Sequence, residues 1–176
     1  MAANSEIAIE GSLYASGGVG VVRMKTRFDT DIDDLWSALT ERERLARWYG
    51  NFDGDFQIGG TFAAFIPSSG WDGHGRVEEC DAPRHLYVTM WENVGDEQGL
   101  MVDLVDDAGH TNLTLEKRGV APDICWAYGA GWQAHLEDLA EHIAGRERTD
   151  LSVRWNMRFD ELEPLYRKMK TTDLDL

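Results

Sequence analysis

Five histidines and two cysteines carry most of the reactive chemistry this 176-residue chain could perform. His74, in Gly73-His74-Gly75-Arg76 and close to Trp71, is the polar residue best placed to act as a general base. Such a base needs a carboxylate to orient it and a substrate within hydrogen-bond reach. Catalysis there requires Arg76, Asp103, Tyr128 or a neighbour to converge with it. His135 and His142 lie seven apart, on one helix face, beside Glu137, Asp138 and Glu141. That company predicts a wet acidic flank. No His-x-x-x-His, Cys-x-x-Cys or His/carboxylate triad occurs at ligating spacing, so no metal is expected. Ser68-Ser69-Gly70 reads as a turn, and no Gly-x-Ser-x-Gly elbow accompanies it. Gly17-Gly18-Val19-Gly20 is followed by no Gly-Lys-Ser/Thr, so no phosphate cradle or nucleotide cofactor is expected. Cys125 follows Pro122-Asp123 and has two readings, a thiol activated at a helix N-terminus or a small buried hydrophobe. No catalytic motif is recognisable, and non-enzymatic binding is the preferred reading.

Charge narrows the partners. Seventeen Lys and Arg stand against 32 Asp and Glu, a formal charge of −15. Nucleic-acid phosphates and anionic lipid surfaces need a basic patch, so neither is an expected partner. No apolar run approaches the ~20 residues that span a bilayer, and the N-terminus lacks a signal-peptide pattern. A cytoplasmic location is the expectation, and two isolated cysteines fit a reducing compartment. Seven Trp, five Tyr and six Phe are much aromatic surface for one small domain.

The elements that must position these groups follow from periodicity. Residues 1–18 read as a leader, mobile or an edge strand. A strand follows over 19–28, then two short helices carrying Leu35, Trp36 and Leu39 and then Leu45 to Trp48. Thr30 and Thr40 are their predicted caps. Residues 50–60 read as a turn-rich loop. Strands are predicted over 61–66, 74–80, 85–92, 99–106 and 110–117, joined by connections short enough for an antiparallel meander. The period then changes. Tyr128, Trp132, Leu136, Leu139 and Ile143 form one stripe on a helix of about 20 residues, stopped near Gly145. Gly129 and Gly131 either thin that helix where it crosses something or mark its start. The fold class is α+β: a curved antiparallel sheet of about six strands wrapped around a long C-terminal helix. Residues 19–146 form this domain and 147–176 a helical extension. Trp155, Phe159, Leu162 and Tyr166 form a ridge on that extension, packed on the domain or on a partner. Pro164 is expected to kink or start its helix.

Several phrases together carry a resemblance: LWSALTERERLARWYG (35–50), IGGTF (58–62), GRVEECDAPRHLYVTMW (75–91), TNLTLEKRG (111–119) and GWQAHLEDLAEHIAG (131–145). They resemble the bacterial proteins related to the activator of the heat-shock-protein-ninety ATPase, within the START-like (SRPBCC) helix-grip superfamily. The likeness covers about residues 19–145. It implies a deep cavity between sheet and long helix that holds a small apolar or aromatic molecule. Trp132 and Tyr128 then become pocket wall, joined from the strands by Phe62, Val77, Met90 or Trp91, Val102 and Leu113. Alternation puts Met90 and Trp91 on opposite faces without saying which is inside. Trp48 and Trp71 are placed to close the mouth, with His74 beside them. Two alternatives stay open: an enzyme of polyketide cyclase or hydrolase type in the same cavity, and a chaperone-linked or self-associating module, homodimeric through the tail ridge or a sheet edge. The family's eukaryotic co-chaperone has a separate N-terminal region for which this chain leaves no room. An ATPase-stimulating role is therefore not expected, while a chaperone contact stays among the alternatives.

Overall fold

Alternating apolar and polar side chains, the mark of a sheet wet on one face, run through most of the chain. In the computed structural model, which describes residues 7–146 and 150–174, that alternation becomes nine strands in one curved sheet. β1 (Ile9–Ser16) and β2 (Val19–Phe28) form a hairpin, followed by α1 (Ile32–Thr40) and α2 (Arg42–Trp48). Then come β3 (Asn51–Gly54), β4 (Thr61–Ile66), β5 (Trp71–Asp81), β6 (His85–Trp91), β7 (Gln98–Asp107) and β8 (His110–Val120). A single 3-10 turn leads into α3 (Cys125–Ile143), and α4 (Leu151–Arg167) and β9 (Thr171–Asp173) complete the chain. The strand order is β3-β4-β5-β6-β7-β8-β2-β1-β9, antiparallel except for the β1–β9 pair. This is the helix-grip architecture, with nine strands rather than about six.

Two of the three extra strands, β3 and β9, escaped the sequence for physical reasons. β3 is Asn-Phe-Asp-Gly, turn-forming by composition, yet its backbone pairs with β4. β9 is only three exposed residues held by β1, and β1 is the strand alternative read for the leader, residues 1–18, flanked by β2 and β9 instead of standing at the edge. Residues 1–6 of that leader, and 147–149, 175 and 176 of the extension, lie outside the described residues.

Capping also differs from expectation. α1 is capped by Asp31, whose carboxylate accepts from the Asp34 amide at 2.9 Å, while the Thr30 hydroxyl donates to Asp34 Oδ2. Thr40 caps nothing. Its hydroxyl donates back to the Trp36 carbonyl at 2.7 Å, ending α1 instead of starting α2.

α3 lies on the inner face of β1 and β2, with Leu136 and Leu139 fully buried, and α4 packs along its other side. Gly129 and Gly131 are interior to α3, which begins at Cys125. Their role is to admit α4. A Cβ at Gly129 would run into the Tyr166 ring and come within 3.2 Å of Leu13 Cδ2, and one at Gly131 would stand 3.1 Å from Trp155 Cζ2. Trp155 Nε1 donates to the Gly131 carbonyl at 3.1 Å, and the Tyr166 hydroxyl donates to Gln133 Oε1 at 2.7 Å. Arg154 pairs with Asp138, whose carboxylate is buried, and Arg158 with Glu137. The ridge of Trp155, Leu162 and Tyr166 is thus buried against its own chain. α4 runs through Pro164 as one element, with that residue exposed.

Gly129→Ala gains about 1 kcal/mol of helix propensity in isolation. Here the added methyl must displace Tyr166, and overpacking of this kind costs about 1–3 kcal/mol. Urea unfolding should therefore show a net loss of stability. An unchanged or higher midpoint would mean that α4 does not dock where the glycine leaves room.

Candidate functional site

Along β4–β8 the inner-face positions are Phe62, Val77, Leu86, Val88, Met90, Leu100, Val102 and Leu115. Opposite them stand Trp36, Leu39 and Thr40 of α1, Leu45 and Trp48 of α2, then Tyr49, Phe52 and Phe56, with Trp132 of α3. These surfaces do not meet. Between them they leave a hollow of about 180 Å³, partly open to solvent. Two of its few polar groups are bonded to backbone: Trp48 Nε1 donates to the Ala38 carbonyl at 2.9 Å, and the Thr40 hydroxyl to the Trp36 carbonyl at 2.7 Å. A sealed apolar cavity of about 150 Å³ accepts benzene, so the apolar walls and size of this hollow suit an aromatic ring system.

Tyr49 is the partition at one end. Its ring centroid lies 5.2 Å from Trp48, 5.5 Å from Phe52, 5.3 Å from Trp132 and 4.9 Å from His135. Beyond it opens a second, wider cleft of about 710 Å³, with Tyr49, Met90 and Trp132 common to both. Polar groups gather there. Gln98 Nε2 donates to the Tyr128 hydroxyl at 3.2 Å, and Lys117 Nζ lies 5.9 Å from the centroid of the Tyr128 ring. Lys117 is 7% exposed and His135 6% exposed, and both line the cleft. His135 Nδ1 is buried with no hydrogen-bond partner among the described residues. Burial pushes the Lys117 amine down to about 8 and the His135 imidazole down to about 3.

The residues expected to form one pocket divide between these spaces. Trp48, Phe62, Val77, Met90, Val102 and Trp132 line the hollow. Trp71, Trp91 and Tyr128 line the cleft, which Met90 and Trp132 also reach. Met90 is the inward residue of its pair, 5% exposed, and Trp91 stands half-buried at the strand's end. Leu113 is buried in the core but lines neither space. His74 is misplaced by the sequence reading. Alternation along β5 turns it and Arg76 to the exposed face, where Arg76 pairs with Glu78. Asp103 also faces outward, bonded to His85 Nδ1 at 2.6 Å, so no convergence around His74 occurs. His135 and Asp138 are not wet, because α4 covers the flank that an isolated helix would expose. Cys125 is fully buried and its thiol pKa is raised by burial, which makes it a packing residue. Trp36, Tyr49, Phe52 and Phe56 were missed, although the apolar side of α1 already carried Trp36. Among the described residues no group of three or more His, Cys, Asp or Glu gathers to hold a metal, and no helix is long and apolar enough to cross a membrane.

With this geometry in view, comparison with known proteins adds three findings. The family model described as Activator of Hsp90 ATPase homolog 1-like protein matches residues 29–144. No curated protein matches the chain. Among solved structures, CalU16 from Micromonospora echinospora is similar at 22% identity. Its solution structure gives a TM-score of 0.76 over 93% of this chain and 95% of that one. The crystal structure of CalU16 gives 0.70 over 92% and 99%. An HSP90 activator from Plasmodium falciparum gives 0.60 at 20% identity, over 71% of this chain and 96% of that one. At such identities the likeness is one of fold.

His135 supplies a test of the buried wall. Native burial keeps its imidazole neutral down to about pH 3, whereas the unfolded chain protonates it near 6.5. Between those values the unfolded state holds the extra proton, so stability falls as pH falls, by about 1.4 kcal/mol per unit. Replacing His135 by Phe removes this contribution. Urea unfolding should then show about 2 kcal/mol less loss between about pH 6.5 and about pH 5 in His135→Phe than in the wild type. Superimposable pH dependences would mean that the native imidazole takes up protons freely.

Proposed function

The chain belongs to the Activator of Hsp90 ATPase homolog 1-like family, and from that premise we propose that it binds a small hydrophobic or aromatic molecule between its sheet and α3. The observation that carries this reading is the apolar hollow, where well-packed side chains would otherwise meet. An empty space of this size forfeits dispersion contacts that a ligand restores. Burying ligand surface contributes roughly 25 cal/mol per Å², and aromatic faces such as Tyr49 and Trp132 add to it. Residues 19–146 serve as the binding unit, and the extension backs α3 from outside.

The other readings have less to stand on. A cyclase or hydrolase centred on His74 needs polar groups in the hollow, and His74, Arg76 and Asp103 all face away from it. An interaction module using the tail ridge needs that ridge free, and α3 covers most of it.

The uncharged dye N-phenylnaphthylamine is a suitable probe. Its fluorescence should rise on binding the wild type, and the melting temperature should climb with dye concentration by mass action. Val102→Trp puts an indole into the hollow and should weaken binding at least about tenfold while unfolding remains cooperative. Equal affinity for both proteins, or no dye bound by the wild type, contradicts the reading.

A further inference from the structure

The two spaces are successive stretches of one inner sheet face. On β6, Val88 lines the hollow while Met90 reaches both spaces. On β7, Val102 and Leu100 line the hollow and Gln98 the cleft. On β8, Leu115 lines the hollow and Lys117 the cleft. Residues two apart on a strand share a face and lie about 7 Å from one another. The inner surface therefore changes from mostly apolar to polar over the length of one small molecule, with Tyr49, Met90 and Trp132 at the boundary.

Lys117 gives that polar end its character. An ammonium removed from water is costly unless paired, and buried lysines ordinarily sit beside a carboxylate. Lys117 has no ion-pair or hydrogen-bond partner among the described residues, and desolvation is the cause that lowers its pKa. It keeps most of its charge near neutral pH. His135 stays neutral on the same wall, its Nδ1 buried and unpartnered among the described residues. The other charged groups of the cleft, Glu92, Asp96 and Glu97, are exposed acids at its rim. A dianion such as a phosphate monoester would meet one cation and three carboxylates. A single negative charge needs only the one cation.

We propose that the cleft seats the carboxylate of an organic acid on Lys117, while the acid's apolar or aromatic body passes Tyr49, Met90 and Trp132 into the hollow. The inference rests on the apolar-binding reading above and refines it: the ligand is amphipathic, monoanionic and oriented. Charge-assisted hydrogen bonds of a buried carboxylate are the strong kind, and leaving Lys117 opposite a neutral group forgoes them.

Isothermal titration with a naphthalene carboxylic acid and with its primary amide separates the two ideas. Wild type should prefer the acid about tenfold. Lys117→Met, confirmed as folded by urea unfolding, should bind acid and amide alike, and Lys117→Arg should keep the preference. Equal binding of acid and amide by the wild type overturns this inference and leaves the apolar-binding reading standing. An acid preference that survives Lys117→Met also overturns it. If neither compound binds the wild type, both ideas fall together.

Discussion

The close approach of α3 to one half of the sheet determines what happens over the other half. At Gly20 of β2, a Cβ would run into Cys125 Sγ at the start of α3, and at Gly129 one would crowd Leu13 of β1. Small residues thus let the helix descend onto β1 and β2, where Leu13, Val22 and Met24 are almost completely buried. β4–β8 curve away from that contact. Over them α3 presents Trp132, and α1 and α2 fill part of the gap with Trp36 and Trp48. Aromatic rings are too stiff to collapse into what remains, so a helix tight on one side leaves a space on the other.

The same asymmetry separates apolar from polar along the strands. Toward α1 and α2 the lining is hydrocarbon or aromatic except for Thr40 and Cys80. Toward the start of α3, Gln98, Lys117, Tyr128 and His135 replace them. α4 sustains this polar end from behind: Trp155 stands 5.3 Å from the His135 ring, and half-buried Arg154 pairs with the buried Asp138 carboxylate on that flank. A buried neutral histidine with an unpartnered nitrogen is expensive in a protein interior, and the extension supplies the cover over His135.

Much of the architecture was legible because it rests on local pattern. The strand over 61–66 and the stripe from Tyr128 to Ile143 follow from side-chain period alone. β3 was not, because its ladder bonds are made by backbone that a turn-like composition disguises. The site was legible in its hydrocarbon half: Phe62, Val77 and Val102 fall on inward positions of recognisable strands. Its polar half was not. His135 reads as solvated on an isolated helix, and only tertiary cover by α4 reverses that. Lys117 reads as one more surface charge, since the inward parity of β8 must be traced from Leu113 and Leu115 to reach it. His74 misled for the complementary reason. Glycines on both sides and a nearby Trp look like a site, while parity puts its ring outside.

The account stands on the space between β4–β8 and α3 being open and apolar. A crystal structure of the protein under xenon pressure tests this most directly, because xenon enters dry apolar cavities and is displaced from filled ones. The account predicts xenon density against Leu100, Val102, Leu115 and Trp132. Continuous side-chain density through that volume, with no xenon bound, would contradict it.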